Sequence, residues 1–554
     1  MNRGRRVDAD VISPTTFAPL KNPTFRSIWI ATQVSNLGSH MLTVAIGWLM
    51  ATISTSDLMV ALVQGASTLP AFIISVFAGA IADNFNRRRV MLGAQCLMTA
   101  ASAMLTALIA LGFVDPWIIL GFSFLIGCGA AFNNPAWQAS VGDIINRRDL
   151  PAAVVLLSVG FNSVRSVGPA LGGVIVACFG PLTALTLNTF SYLTPLGAIW
   201  RCRWKLRSSP FPPESMITAI YDGVRFTAMS SEIKSAIARG TLFGLASISI
   251  LALLPLVVRD QLTRGPVAYG ILMAGFGTGA FIAGVSNGLF RQILSQERLI
   301  TLACVACVAC SISLALTSAL AVAATALALG GAGWVVAWSG LAVSVQLASP
   351  RWIVGRTLSI YNALTYGGIA AGSWVWGAVA QKYSLTWALE GSAGALLLVA
   401  VTGLLVPIRE CRESDLDPSG GFDAPPVAID LKPRSGPIVV NIEYLIPEEN
   451  VEPFLALMRE RRRLQSRVGA RHWTLVRNLQ APSQWTETFR TPTWMDYLRL
   501  NHRLTTTDKE LDERVFELHA GEFPPRLKLS IERPTGPARS LDKSTPFVSQ
   551  SLTS

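Results

Sequence analysis

The sequence predicts an all-α membrane protein of twelve helices, arranged six plus six, with a small C-terminal α+β domain. Three observations predict it. Apolar runs of bilayer-spanning length recur between residues 25 and 407. Only 14% of residues are charged against 51% hydrophobic, where soluble domains carry roughly 25% charge. Charges are sparse up to about residue 410 and frequent beyond it, so a lipid-facing part is joined to a water-facing one.

An N-terminal tail (1–24) leads into a first bundle (25–207), with helices expected at 25–53, 58–82, 90–112, 116–139, 151–177 and 182–200. A basic interruption starts at Arg201, and 208–235 reads as a cytoplasmic linker. In it, Pro210-Phe211-Pro212-Pro213 breaks structure and Glu214 to Met229 forms an amphipathic, interfacial helix. The second bundle (236–410) holds helices at 236–258, 267–290, 298–317, 320–347, 354–381 and 384–407. Two bundles around a long loop is the layout of many secondary transporters. A weak internal repeat agrees. Trp137 to Val141 precedes Asn146-Arg147-Arg148, and Ser344 to Ala348 precedes Pro350-Arg351, each at the end of its bundle's fourth helix.

Residues 411–436 are Asp-, Pro- and Gly-rich and read as a linker. From 437 to 533 the pattern becomes soluble. Strands are expected at 437–446, 470–479, 484–490 and 526–532, and helices at 448–467, 493–504 and 508–519. A strand–helix–strand–strand–helix–strand order suggests a ferredoxin-like fold. Residues 534–554 are polar and read as a disordered tail.

The net charge of +12 raises a nucleic-acid reading, which the placement of the charges excludes. Arg3, Arg5 and Arg6, Arg87 to Arg89, Arg147 and Arg148, Arg201 to Arg207, Arg291 and Arg298, and Arg351 and Arg356 occupy the N-terminal tail and alternate loops. The intervening loops hold only Arg259, Arg264 and Lys382. That alternation is the positive-inside signature and puts both termini in the cytoplasm. No apolar stretch with a cleavage site marks a cleaved signal peptide. Cys304, Cys307 and Cys310 sit in an apolar helix without a fourth ligand, so they read as small core-filling residues and not as an iron–sulfur site.

Chemistry concentrates at three places. Between the second and third helices runs Gly79-Ala80-Ile81-Ala82-Asp83-Asn84-Phe85-Asn86-Arg87-Arg88-Arg89. Gly79 permits close helix approach, and Asp83 can pair with Arg87 or a facing helix terminus as a charge-dependent latch that includes Arg88. The loop resembles the signature of the major facilitator superfamily, departing from it at Asn84 and Asn86. In the fifth helix, Gly168-Pro169-Ala170-Leu171-Gly172-Gly173 resembles the GPxxGG core of that superfamily's antiporter motif, with its upstream glycines missing. Small residues suit tight packing and Pro169 a bend, as a sealing, rocking element needs.

Arg165 is the one Lys or Arg expected well inside a helix, where a charge normally faces a cavity or a partner. It could bind an anionic group or brace the gate. Gln33, Asn36 and His40 on the first helix, Asn133, Asn134 and Gln138 on the fourth, and Asn162 on the fifth could face the same cavity or merely link helices. His40 has an intrinsic pKa suited to carrying a proton, and Glu390, Asp57 and Asp143 are the other titratable candidates.

Gly275-Phe276-Gly277-Thr278-Gly279-Ala280 matches GxGxxA but lies in a membrane helix, where helix packing explains it better than a dinucleotide. No GxxxxGK[ST] supports an ATPase within this chain. His472, His502 and His519 fit no metal spacing, and no resident cofactor is expected.

The chain resembles the transmembrane secretion-effector, enterobactin-exporter-like group of the superfamily. Ser35 to Gly38, Trp48-Leu49, the Asp83-to-Arg89 loop and GPxxGG carry that resemblance. It implies a bacterial inner-membrane exporter of a small molecule (siderophore, drug or amphipathic metabolite), working by alternating access and driven by the proton gradient. The C-terminal domain looks like the dimeric α/β-barrel domains related to small monooxygenases, which favours a pairing or regulatory module and a homodimer. Two alternatives stay open: a membrane-anchored oxidoreductase acting through residues 437–533, and an importer of the same fold.

Overall fold

The computed structural model describes residues 17–84, 86–146, 149–202, 204, 216–350, 352–405 and 425–533, without the side chains of 76, 78–84, 151, 158, 162, 216–219, 404, 405 and 507. The tail 534–554, most of the linker 411–436 and Pro210 to Pro213 lie outside this set.

The helical unit comprises α1 (Pro23–Ile53), α2 (Asp57–Asn84), α3 (Arg87–Ala110), α4 (Pro116–Ile144), α5 (Leu150–Phe179) and α6 (Pro181–Arg201). A shorter α7 (Met216–Met229) leads to α8 (Ser231–Gln261), α9 (Pro266–Ile293), α10 (Gln296–Leu316), α11 (Leu320–Leu347), α12 (Val354–Lys382) and α13 (Leu385–Leu405). Four of these open on a proline at the first position, Pro23, Pro116, Pro181 and Pro266. There the missing N–H costs nothing and φ is pre-set for helix. Asn22 and Asp115 cap α1 and α4 by accepting from the next turn's backbone N–H groups.

Among the described residues, nine helices are long and apolar enough to cross a membrane. Helices α1, α6 and α12 are not in that set. Side chains such as Gln33, Asn36 and His40 on α1, and Asn188 on α6, lower their apolar content.

Helix α8 is interrupted. Regular α-helix ends at Ser247, a short irregular stretch carries Pro255, and a π turn closes the element at Val257–Gln261. Proline removes an intrahelical donor and crowds the preceding turn. Beside the break, the buried hydroxyls of Ser249, Ser311 and Ser392 bond one another across α8, α10 and α13, at 2.7 and 2.9 Å.

Helices α1, α5 and α6 pack together, as do α2 with α4 and α3 with both α4 and α6. In the second group α9 and α10 pack on α11, α10 on α13, and α8 on α12. Two crossed pairs join the groups, α2 with α12 and α5 with α9. Leaving out the short α7, these are the second with the eleventh and the fifth with the eighth long helix, so a shift of six exchanges the two pairs, which is how a duplicated bundle would meet its copy.

The α+β unit places β1 (Ile438–Leu445), α14 (Val451–Val468), β2 (Arg471–Arg477), β3 (Gln484–Thr491), α15 (Trp494–His502), α16 (Thr506–Glu517) and β4 (Arg526–Ile531). Its sheet order is β2-β3-β1-β4, all antiparallel, with Ile438 opposite Thr491 and Ile531. Alternate residues of β1 and β3 are buried with Phe454, Met458, Tyr497 and Leu500 of the helices. Gly469, at φ +137°, ends α14.

A buried polar network crosses this core. Glu487 accepts from the Tyr444 hydroxyl at 2.8 Å, from Arg461 Nε at 2.8 Å and from Trp473 Nε1 at 2.7 Å, and Arg461 also pairs with Asp512. Burial pushes the Tyr444 hydroxyl well above the ordinary tyrosine range, and it pushes Tyr497 up to about 12. Burial works to lower Arg461, but the charge of Glu487 and the Tyr444 hydroxyl more than offset it and leave the guanidinium raised.

These two tyrosines predict an alkaline transition. A phenol raised on folding holds its proton where the unfolded chain has lost it, so stability is full below the unfolded value near 10 and falls as pH rises towards about 12. Circular dichroism of the full-length protein in detergent should lose the sheet signal above about pH 10. A flat signal to about pH 12 would show that the tyrosines are not buried as described.

Candidate functional site: the seam between the two helical groups

The seam is built from glycines. A Cβ on Gly173 of α5 would stand 2.6 Å from the Cα of Gly270 on α9, and one on Gly277 would stand 2.5 Å from the carbonyl oxygen of Arg165. Ser166 Oγ donates to the Gly277 carbonyl at 2.8 Å. The α2–α12 pair closes similarly, with Gly377 against Leu58 and Ala61, Gly65 against Ser373, and Gly367 against Phe72. All these contacts run from mid-helix towards the end that carries the α1–α2 turn. Polar contacts cluster there too. Arg259 of α8 donates to the Ala51 carbonyl of α1 and, at 3.4 Å, to Asp57 of α2, while Ser56 Oγ donates to Gln381 Oε1 of α12 at 2.8 Å.

Within GPxxGG, the three glycines serve different neighbours. Gly168 faces His40 and Gly172 faces the backbone of Met41, so both hold α5 against α1; Gly173 serves the inter-group seam. Pro169 is buried in the continuous helix α5. The GxGxxA stretch is helix packing throughout. Gly275 and Gly279 face Ala324 and Ala328 of α11, and Gly277 faces α5. The cysteine run is likewise accounted for, since Cys307 and Cys310 fill the space beside Gly333 and Gly330 of α11.

The polar residues of α1 line the face towards α5. Gln33 lies against Gly160, Asn36 Nδ2 donates to Gln33 Oε1 at 3.4 Å, and the His40 ring sits 6.1 Å from that of Phe161. On α4, Asn133 is half-buried with its Oδ1 atom lacking a partner, while Asn134 and Gln138 are exposed. The side chain of Asn162 lies outside the described residues.

Arg165 reaches out from α5 to the second group. Its guanidinium lies 5.3 Å from the centroid of the Phe276 ring on α9. Among the described residues no carboxylate pairs with it and no acceptor takes a hydrogen bond from it. His40 and Tyr366 of α12 are the titratable side chains within its electrostatic reach. A cation–π contact contributes about 0.5–2 kcal/mol, against several kcal/mol for withdrawing an ion from water. The ring alone does not satisfy this charge.

Sequence reasoning missed the aromatic wall around that point. Trp334 and Trp338 of α11 stack at 6.4 Å, Trp334 meets Phe276 edge-on at 5.9 Å, and Trp338 meets Tyr366 at 5.6 Å. Two tryptophans one helical turn apart in an apolar run were the available signal.

Around the expected latch, the described residues show contacts of Arg87 and Arg88. Arg87 donates to Asp143 Oδ2 of α4 at 2.7 Å and to the Ala139 carbonyl at 3.2 Å. Arg88 caps the end of α6 through the Ile199 and Trp200 carbonyls. These four hydrogen bonds stay within the first group. Gly79 and Asp83 belong to α2, but their side chains lie outside the described set. Arg165 is also not the only arginine drawn into the helical interior. Arg239 of α8 is 3% exposed and bonds Glu297 of α10 through both amino groups, at 2.7 Å each. It escaped notice because it stands near the edge of its apolar run.

The Arg259 contacts give a testable handle. Removing a hydrogen bond to a charged group costs about 1.5–3 kcal/mol, so Arg259→Ala should shift this end towards opening by about 10- to 100-fold. A disulfide between Ser56→Cys and Gln381→Cys should then form correspondingly more slowly in membranes. An unchanged rate would remove Arg259 from the closure.

The sequence profile described as transmembrane secretion effector matches residues 14–535. The multidrug efflux pump Tap of Mycolicibacterium fortuitum is 22% identical over 402 residues, covering 70% of this chain and 96% of the pump. Macrolide efflux protein A of Streptococcus pyogenes is 23% identical over 287 residues, covering 50% of this chain and 69% of that protein. The staphyloferrin A transporter of Staphylococcus aureus is 23% identical over 250 residues, covering 45% and 62%. Among solved structures, an auto-inhibited POT family peptide transporter superposes with a TM-score of 0.59 at 12% identity, over 70% of this chain and 98% of that one. The family and its relatives are transporters, which closes the membrane-anchored oxidoreductase reading. With the family profile spanning nearly the whole multi-pass chain, the protein belongs to the transmembrane secretion effector family of major facilitator transporters.

Proposed function

We propose that this protein exports a small amphipathic molecule across the bacterial inner membrane by alternating access, as a proton antiporter of twelve membrane-crossing helices. The seam carries this reading. Its contacts run from the α1–α2 turn to mid-helix, so the two groups can rock about the middle and exchange one sealed end for the other. The direction is supported by relatives named as efflux proteins and by GPxxGG. Basic residues in alternate loops favour cytoplasmic termini. In that orientation the sealed end faces outward and the site opens to the cytoplasm.

In this reading Gln33, Asn36, His40, Asn133, Asn134, Gln138, Asn162 and Arg165 serve the substrate or proton path. Gly79, Asp83, Arg87, Arg88, Gly168, Pro169, Gly172 and Gly173 serve the conformational change. The segments 25–207 and 236–410 are the two bundles, and 437–533 is a ferredoxin-like pairing module. Its sheet order, which read from the other edge is 4-1-3-2, supports that assignment.

Proteoliposomes decide the matter. With a macrolide, a cationic dye and a catecholate siderophore as separate probes, an imposed pH gradient should drive at least one of them against its concentration. Flux that ignores the gradient would refute proton coupling. Net accumulation on the cytoplasmic side would refute export.

A further inference from the structure

We propose that Arg165, Phe276, Trp338 and Tyr366 form a subsite for an organic anion, in which a carboxylate meets the guanidinium and a flat apolar body lies against the aromatic wall. The proposal rests on the transporter reading above and names the substrate class for that site.

Arg165 lies mid-helix, where a charge is retained only if something answers it. Among the described residues what answers it is a ring face, at 5.3 Å from Phe276, and no carboxylate. As a whole residue Arg165 is half-buried and not fully enclosed. Contrast Arg239 in the same helical unit, which is 3% exposed and closed by a two-pronged bond to Glu297. One arginine is structurally complete; the other presents its planar fork to a ligand.

That fork matches a carboxylate in two parallel hydrogen bonds, which a neutral or cationic group cannot reproduce. The groups around it agree in kind. His40 from α1 and Tyr366 from α12 stand within its electrostatic reach, and neither brings a carboxylate. Trp338 and Tyr366 are half-buried, with ring centroids 5.6 Å apart, and Trp338 stacks on Trp334 at 6.4 Å. Such rings supply a rigid apolar surface for a flat molecule. The site draws on both helical groups, with Arg165 and His40 from the first and the aromatic residues from the second. A bound anion would therefore bridge the elements that move.

Three probes of one shape test this: 2-naphthoate, 2-naphthamide and 2-naphthylmethylammonium, each titrated calorimetrically into the full-length protein in lipid nanodiscs. Naphthoate should bind at least about tenfold more tightly than the amide or the ammonium. In Arg165→Gln the naphthoate and amide affinities should converge, and Arg165→Lys should keep part of the preference. Trp338→Ala should weaken all three alike. No binding of any probe, no preference in the wild type, or an equal loss of all three in Arg165→Gln would overturn the anion site; the last would make Arg165 a brace. Flux in proteoliposomes separates the two claims. Selective naphthoate binding without flux of any probe would sink the transporter reading and leave the site standing. Transport of neutral or cationic probes by a protein without naphthoate preference would do the reverse.

Discussion

Gly173→Val and Gly270→Val are each expected to cut transport by about 10- to 100-fold while leaving membrane insertion intact. The two glycines face each other across the α5–α9 seam, where a Cβ on either would stand 2.6–2.7 Å from the partner's Cα. The obstacle is backbone, which cannot swing aside as the end of a side chain can. Overpacking a close contact costs about 1–3 kcal/mol, and each 1.4 kcal/mol is tenfold in an equilibrium. The penalty falls on the state in which these halves of the helices touch. A transporter that must return to that state in every cycle slows accordingly. Gly93→Ala and Gly121→Ala are the controls, since a Cβ there meets nothing within 4 Å. Efflux of a probe that the wild type exports, normalised to protein in the membrane, is the measurement. Wild-type rates in both valine variants would mean that the seam does not have to close so tightly.

Much of this seam was legible in the sequence, but only as a list of small residues. GPxxGG stood out because three glycines and a proline in one apolar helix are costly without a packing reason. Which glycine faces α1 and which faces α9 depends on the rotation of α5, and a motif does not carry that. The same limit applies to charge. Arg165 was found because a lone cation inside an apolar run is conspicuous. Arg239 was missed because it stands near the edge of its apolar run, and its carboxylate partner, Glu297, lies in another helix. Arg87 was expected to serve Asp83 or a facing helix terminus, and among the described residues it also bonds Asp143 of α4, which sequence proximity does not suggest.

The aromatic wall was the largest omission. Phe276, Trp338 and Tyr366 come from α9, α11 and α12, and each is ordinary in its own helix. Only packing puts them around Arg165. The C-terminal unit shows the opposite balance. Its strands and helices followed from period-two and period-3.6 patterns to within a few residues, because a small water-facing domain must hide one face of each element. What the patterns hid was the ion pair inside it, since Glu487 occupies an inward position of β3 that alternation assigns to an apolar residue.

Glu487 is therefore where the second large effect should appear, and it concerns stability. Its carboxylate is 0% exposed and accepts from Tyr444, Arg461 and Trp473. Glu487→Ala leaves a buried hydroxyl and indole without an acceptor and a buried guanidinium with Asp512 alone. Breaking a buried pair from one side costs about 3–5 kcal/mol, a large part of the 5–15 kcal/mol that holds a typical domain together. Glu487→Gln keeps the shape and one acceptor oxygen, so its loss should be nearer 1–3 kcal/mol. Limited proteolysis of the full-length protein should release the C-terminal region much faster in Glu487→Ala than in the wild type, with Glu487→Gln between them. Equal protection of all three would show that the network contributes nothing to the domain's stability. The same variant also reports on what the domain is for. If it pairs two transporters, Glu487→Ala should lower the dimer fraction in detergent while each monomer retains its flux. If flux falls with the domain intact in neither copy, the appendage belongs to the transport cycle itself.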